Sequence, residues 1–427
     1  MKKITLNGQG VEVFYEELDN GLKVCLIPFK DKKNYFLSYA TKYGSLHLDF
    51  MVDGREVSTV PGIAHFLEHK MFEQEDGVKP FEFFAKTGTD CNASTGFERT
   101  RYIVYGTNAL EENLNFLIDY VNSPYFTDDN VEKEKGIIIE ELNMYKGMPD
   151  RVINSLLNES VFNKHPARID IGGTVDSVKS IRKEDLYKCY DTFYQPSNMV
   201  LVVGGTFDCE SIMELIKNNS KLNSKKEKNK IVLKTVKEKE VVKDSYKEIE
   251  LSQLTMNKVA FAIKTDVGVE SAKDYKFREY ISMIINILFG SSSIFKEELY
   301  TSRLVTTFAV DTYYIDNFMM IEFNAETNEP TVLVDKIIKH FKNQAITKEE
   351  LERSKKVWIA SIVFGTDIVY SMVNNIIGDL LTYGEVIEDR IDSIRGMNLK
   401  KLNTIRDSIN YDNNTTLIAR PKKDSKK

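Results

Sequence analysis

Histidine is scarce in this chain of 427 residues, with five in all, at positions 47, 65, 69, 165 and 340. Cysteine is scarcer: Cys25, Cys91, Cys189 and Cys209 are scattered, with no Cys-x-x-Cys pair. Such spacing argues against a disulfide framework and against a thiolate metal site. Reduced thiols and a cytoplasmic location are the expectation. Long apolar runs are missing. The longest, around Ile281–Phe289, is far short of the about 20 residues that span a bilayer, so no membrane span is expected. Met1–Gly10 holds two lysines but no apolar core and no small-residue cleavage site, so no signal peptide is read there. A basic excess is absent too. Lys plus Arg number 58 against 64 Asp plus Glu, a net charge of -6, which argues against a nucleic-acid partner. What is left is 42% hydrophobic and 29% charged residues, ordinary for a soluble globular chain of two or more domains.

Two of the five histidines stand together in Pro61-Gly62-Ile63-Ala64-His65-Phe66-Leu67-Glu68-His69-Lys70. On a helix, His65 and His69 are four residues apart and share a face. Two imidazoles one turn apart can grip one zinc ion. Glu68 lies near that face, placed to take a proton from an activated water. His-x-x-Glu-His reverses the commoner His-Glu-x-x-His and is a zinc-peptidase signature in its own right. The rest of the segment is apolar (Ile63, Ala64, Phe66, Leu67, Met71, Phe72). Ionisable groups on such a helix are costly unless paired or bound to metal.

Taken in order, residues 11–60 read as strands and turns, with Val11–Phe14 and Lys23–Pro28 flanking the turn signal Asp19-Asn20-Gly21. Asn34–Thr41 suits a central strand. Phe81–Lys86 reads as a short helix, Asp90–Thr95 and Arg101–Tyr105 as strands, and Leu110–Val121 as an amphipathic helix closed by Ser123-Pro124. Asp128–Tyr145 reads as a longer helix with Asp128 and Asp129 as caps. Ser180–Tyr194 is a further helix and Met199–Gly204 a strand. Asn218–Asn229 is nearly without apolar residues and reads as a solvated connection. The charged run beyond it, to about Lys247, carries Val236, Val241 and Val242 and could hold an edge strand. The tail Pro421–Lys427 is polar.

The chain repeats itself across that connection. Arg101–Tyr105, Thr107-Asn108, the Leu110–Val121 helix, Tyr125–Asp129 and the next helix have counterparts. These are Phe318–Phe323, Thr327-Asn328, a Val332–Phe341 helix, Ala345–Glu350 and a Leu351–Val363 helix. With Val131 set on Leu351, Glu134 falls on Ser354 and Glu141 on Ser361. The second half has no His-x-x-Glu-His. The expected organisation is a metal-bearing domain over 1–217, a polar linker over 218–247, and a second domain of the same fold, without metal, over 248–427.

A catalytic zinc takes three protein ligands and leaves one position for water. Glu134 and Glu141 are seven residues apart, nearly two helical turns, and share one face; Glu140 points about 100° away. Glu141 is the candidate third ligand, with Glu134 behind it to orient a ligand. A solvated helix face accounts for the same spacing equally well.

His65-Phe66-Leu67-Glu68-His69, Asn92-Ala93 and Glu134-Lys135-Gly136-Ile137-Ile138-Ile139-Glu140-Glu141 together resemble the pitrilysin/insulinase family of inverted-motif zinc peptidases. The resemblance covers most of the chain, and its length suits the small two-domain branch, which includes mitochondrial processing peptidase subunits and bacterial members. His165-Pro166, Gly172-Gly173-Thr174-Val175 and Tyr194-Gln195-Pro196-Ser197-Asn198-Met199 look like the bacterial YmfH-type members. The resemblance implies an α+β fold of two similar domains, each a mostly antiparallel sheet packed by helices. It implies one zinc per chain, with Glu141 as ligand and Glu134 supporting, and a substrate strand pairing at Asn92-Ala93. It implies a zinc metalloendopeptidase acting on short or unfolded peptides, and a homodimer or a heterodimer with a related subunit. The rival expectation is a non-catalytic or weakly active peptide-binding subunit, and a third is a structural zinc protein, which would need four closed ligands. Active members carry an Arg and a downstream Tyr that hold the substrate backbone. Here Tyr300 and Phe308 stand near those places, with Arg303 close by, which implies weak activity for the chain alone and more with a related subunit.

Overall fold

Aromatic and β-branched residues concentrate where strands form. In the computed structural model, which describes residues 1–224 and 230–422, the chain gathers into two compact units. The first comprises Met1–Leu142, Asp170–Thr235 and Ile362–Arg390, the second Asn143–Ile169, Val236–Ser361 and Ile391–Lys427. The first unit contains β1 (Lys2–Leu6), β2 (Val11–Glu17), β3 (Lys23–Pro28), β4 (Tyr35–Thr41), β5 (Asp49–Val52), β6 (Arg55–Ser58), β7 (Asp90–Thr95), β8 (Thr100–Gly106), β9 (Met199–Gly205) and β10 (Ile231–Leu233). Seven of them form one sheet in the order β1-β2-β3-β9-β4-β8-β7, and β10-β5-β6 form a small second sheet. Only β3 and β9 run parallel. All seven residues of β4 are buried, as befits a strand covered on both faces. β7 is left at an edge.

The second unit holds β11 (Tyr246–Leu251), β12 (Lys258–Asp266), β13 (Thr307–Ile315), β14 (Phe318–Glu326) and β15 (Asn414–Pro421), in the order β11-β15-β12-β14-β13. Here only β11 and β15 run parallel. The fold is α+β, with a mostly antiparallel sheet and packed helices in each unit. Among the described residues no single helix is long and apolar enough to cross a membrane.

Compactness does not follow the linear division at 218–247. Helix Val369–Thr382 belongs to the first unit, where Val369, Met372, Val373, Ile376, Ile377 and Leu380 pack with Cys25, Ile27, Phe36, Ala40, Val200 and Val202 of the sheet. Helix Pro149–Val161 belongs to the second unit and packs on β12 and β15. The two helices start 220 residues apart, the spacing of the repeat, so each half lends the same helix to the other half's sheet. An amphipathic helix needs an apolar face to cover, and its sequence does not say whose. The stretch with Val236, Val241 and Val242 is irregular; the strands β10 and β11 flank it. Residues 225–229, part of the expected linker, and 423–427, most of the polar tail, lie outside the described residues.

Candidate metal centre

The motif helix spans Ile63–Lys70. Gly62 opens it at φ 90°, where any Cβ is strained. A Cβ on Gly62 would also collide with the Gly172 carbonyl oxygen, and Gly172 itself lies beside the His65 ring. The Gly172-Gly173 bend therefore seats the start of the helix. Ile63, Ala64, Phe66 and Leu67 bury the apolar face in the first unit's core. That fixes the opposite face, and with it the rings of His65 and His69, whose centroids are 4.6 Å apart.

Helix Asp128–Tyr145 supplies the carboxylates. Its cap is not Asp128 or Asp129, which lie in the first turn. Thr127 and Asn130 form a reciprocal pair instead: the Thr127 N–H donates to Asn130 Oδ1 at 2.9 Å, and the Asn130 N–H to Thr127 Oγ1 at 3.2 Å. Val131, Ile138 and Leu142 are buried in the core. Glu141 Oε2 then stands 3.8 Å from His65 Nε2 and 3.6 Å from His69 Nε2. One donor atom from each of the three lies within 4.8 Å of the others. Donors about 2.1 Å from one tetrahedral zinc would be spaced by roughly 3.4 Å, so the set fits that ion. Glu134 Oε1 is 3.0 Å from His69 Nδ1, the ring nitrogen on the side away from Glu141.

Glu68 is 8% exposed, and its Oε2 accepts a hydrogen bond from Thr95 Oγ1 at 2.5 Å. Burial pushes its carboxyl up, the Thr95 hydroxyl and His69 pull it down, and Glu141 adds to the push. Burial opposes charge on His69, but the carboxylates of Glu134, Glu68 and Glu141 outweigh it and push the imidazole up. Three carboxylates around two imidazoles, partly shielded from water, form an arrangement that attracts a cation.

Two participants were not legible in the sequence. Thr95 is one. Lys70 is the other: its ammonium is fully buried, pairs with Glu73, and donates to the Asn130 carbonyl at 3.4 Å. It ties the end of the motif helix to the start of the glutamate helix. A lysine inside the motif stretch was its only sequence signal.

Asn92 is exposed on β7, with Oδ1 accepting from the Ala93 N–H at 2.8 Å, and Ala93 is half-buried. Tyr300 and Phe308 belong to the second unit. Phe308 is buried, and its N–H donates to the Tyr300 hydroxyl at 3.1 Å. Both line a cavity of about 380 Å³ with Asp150, Lys258, Asn324 and Glu326.

Residues 55–175 match the family described as Insulinase (Peptidase family M16), and residues 180–357 match the Peptidase M16 inactive domain. The chain is 37% identical over 363 residues to an uncharacterized zinc protease, YmfH, of Bacillus subtilis, across 82% of this chain and 83% of that protein. A crystal structure of a putative M16-like peptidase from Alicyclobacillus acidocaldarius superposes with a TM-score of 0.90 at 32% identity, covering 96% of this chain and 99% of that one. A protease from Helicobacter pylori, at 21% identity and a TM-score of 0.81 over 96% of this chain and 100% of that one, shares the fold. With paired carboxylates facing a His-x-x-Glu-His helix in one unit and a second unit of like build beside it in the sequence, the chain belongs to peptidase family M16, whose named relatives here are zinc proteases.

Proposed function

We propose that the chain is a zinc-dependent endopeptidase cleaving short or unfolded peptides, with one zinc per chain held by His65, His69 and Glu141. The observation that carries this reading is the convergence of those three donor atoms within 4.8 Å, with Glu68 buried alongside. Zinc so held lowers the pKa of a water and polarises a scissile carbonyl. Glu68 takes the proton of the attacking water and passes it to the leaving amine. Glu134 holds the His69 ring through Nδ1, which leaves Nε2 on the Glu141 side as the nitrogen that would hold a metal. A peptide strand pairs along the free edge of β7 at Asn92-Ala93, reading backbone rather than side chains. Tyr300 receives the Phe308 N–H and keeps its own proton to donate to a peptide carbonyl, while Phe308 has no hydroxyl to give. A homodimer or a pairing with a related subunit would supply what that position lacks. Four free cysteines, three of them buried, suit a reducing cytoplasm.

The rival, a peptide-binding subunit without catalysis, has no need of a buried carboxylate held by a hydroxyl beside the two histidines. The test is zinc content and turnover of an unstructured peptide by purified wild type and His65→Ala. Zinc near one per chain with hydrolysis, both lost in His65→Ala, is expected. Undiminished zinc in His65→Ala would sink the assignment.

A further inference from the structure

Glu68 reaches its neighbours from the motif helix, and the hydrogen bond to its Oε2 comes from a strand. Thr95 is the last residue of β7. Along β7, Cys91, Ala93 and Thr95 share one face, and Asp90, Asn92 and Ser94 take the other, exposed one. Thr95 thus ends the row that turns inward. Its Oγ1 is also 3.3 Å from Thr100 Oγ1, on β8. Thr100 Oγ1 donates to the Tyr43 carbonyl at 2.9 Å. Each hydroxyl has one proton. With the Thr100 proton committed to Tyr43, the Thr95 proton goes to Glu68. The Thr95 hydroxyl then holds one carboxylate oxygen, and the Thr95 backbone N–H also acts on the carboxylate.

The geometry points to Thr95 as a positioning residue, one that locks the Glu68 carboxylate and ties it to the edge strand along which a peptide would lie. This rests on the reading of Glu68 as base. Thr95 itself touches no reacting atom. Its place on β7 means that a peptide pairing with that strand and the base that serves it share one rigid element.

Thr95→Val tests this, because valine keeps the shape, suits a strand and lacks the hydroxyl. Turnover is expected to fall by about 10–100-fold, the usual loss when a supporting hydrogen bond goes, with KM and zinc content little changed. Thr95→Ser, which keeps the hydroxyl, is expected to recover most of the turnover. A second readout needs no activity. In a crystal structure of zinc-free Thr95→Val the Glu68 carboxylate is expected to leave its wild-type position, and in Thr95→Ser to keep it. Wild-type turnover in Thr95→Val, equal losses in the valine and serine variants, or an unmoved carboxylate would each overturn the inference. Glu68→Gln run alongside separates the two failures. If Glu68→Gln is inactive and Thr95→Val is not, only the role of Thr95 falls; if Glu68→Gln retains wild-type turnover, the base reading falls and takes this inference with it.

Discussion

Helices Asp128–Tyr145 and Lys348–Gly365 have the same length, 18 residues, and start alike. The first opens on the Thr127/Asn130 pair. The second opens on Thr347 and Glu350: the Thr347 N–H donates to Glu350 Oε2 at 2.8 Å, and the Glu350 N–H to Thr347 Oγ1 at 3.2 Å. Each is followed by a helix, Pro149–Val161 or Val369–Thr382, that packs in the other half's unit. Val131 and Leu351 are both buried at matching positions. The difference lies on one face. Where the first helix has Glu134 and Glu141 turned toward two histidines, the second has Ser354 and Ser361, and Ser361 Oγ only folds back to the Trp358 carbonyl at 2.7 Å. The opening pair, the length and the buried Val131/Leu351 position are kept in both copies, while further along the first helix buries Ile138 and Leu142 and the second Ser354 and Lys355. The chemistry occupies two positions of 18 and can be absent without loss of the architecture.

The comparison breaks most visibly at Glu68. Glu68→Gln is nearly isosteric but cannot accept a proton, so turnover is expected to drop by about 100–10,000-fold while zinc stays bound. Peptide turnover and elemental analysis on the same sample check this. A large loss of folding stability in this variant would show that the chemistry is not separable from the fold.

The second unit has its own buried charges, and these serve structure. Lys264 and Glu238 form an ion pair at 2.9 Å with side chains 0% and 1% exposed. Glu238 also accepts from the N–H groups of Asn163, Lys164 and His165, and the Lys264 ammonium lies over the rings of Phe162 and Phe318. Lys264→Ala strands a buried carboxylate and is expected to destabilise the protein by about 3–5 kcal/mol, read from a urea midpoint. Burial alone would raise the Glu238 carboxyl, but the backbone donors and Lys264 win and hold it at about 2. A carboxyl depressed in the folded state contributes stability above its unfolded value of about 4.3, and that contribution is lost as pH falls toward 2. The difference between wild type and Glu238→Gln is therefore expected to narrow across that window. A gap that stays constant from pH 5 to 2.5 would remove Glu238 as its source.

Helices with strong periodicity and clear punctuation were legible residue by residue. Leu110–Val121 and Asp128–Tyr145 have the limits their sequence predicts, because Ser123-Pro124 and the polar 127–130 segment mark breaks that local chemistry enforces. Ser180–Tyr194 did not fare as well. Val175–Ser180 is a separate short helix, and the next runs over Lys183–Phe193, opening where Asp185 Oδ2 accepts from the Arg182 N–H at 3.1 Å. Within the site, helical period set His65 with His69 and Glu134 with Glu141 on shared faces, but a solvated face explained the second pair as well, and only the family resemblance joined the two pairs. Thr95 and Lys70 were not legible. Their partners come from another element, Glu68 lying 27 residues from Thr95, and no local pattern encodes an approach between elements. The lent helices were hidden for the same reason.

A smaller effect is expected at Glu134. Glu134→Ala removes the carboxylate that holds His69 through Nδ1, and zinc affinity or turnover is expected to weaken by about 10–100-fold. The fold has no comparable stake, since the same position is a serine in the repeat. A competition titration with a chelator reads the affinity, and a urea midpoint reads the fold. Unchanged affinity and turnover would return Glu134 to an ordinary helix-face residue.

The smallest effect is expected at that serine. Ser354 is 3% exposed, and among the described residues its Oγ meets no hydrogen-bond partner. A buried hydroxyl left without a partner is a liability on the order of 1 kcal/mol or more, and serine is a weaker helix former than alanine by about 0.5 kcal/mol. Against that, removing one oxygen leaves a small void, which costs some of the gain. Ser354→Ala is therefore expected to leave stability level or raise it by about 0.5–1 kcal/mol, seen as a higher urea midpoint with an unchanged slope. Zinc content and turnover should not move. The pair Glu134→Ala and Ser354→Ala then separates the two helices at one equivalent position, a loss of metal affinity in one and a slight gain of stability in the other. If Ser354→Ala instead destabilises by more than about 1 kcal/mol, its hydroxyl has a partner in solution, and the second helix has put that position to a structural use of its own.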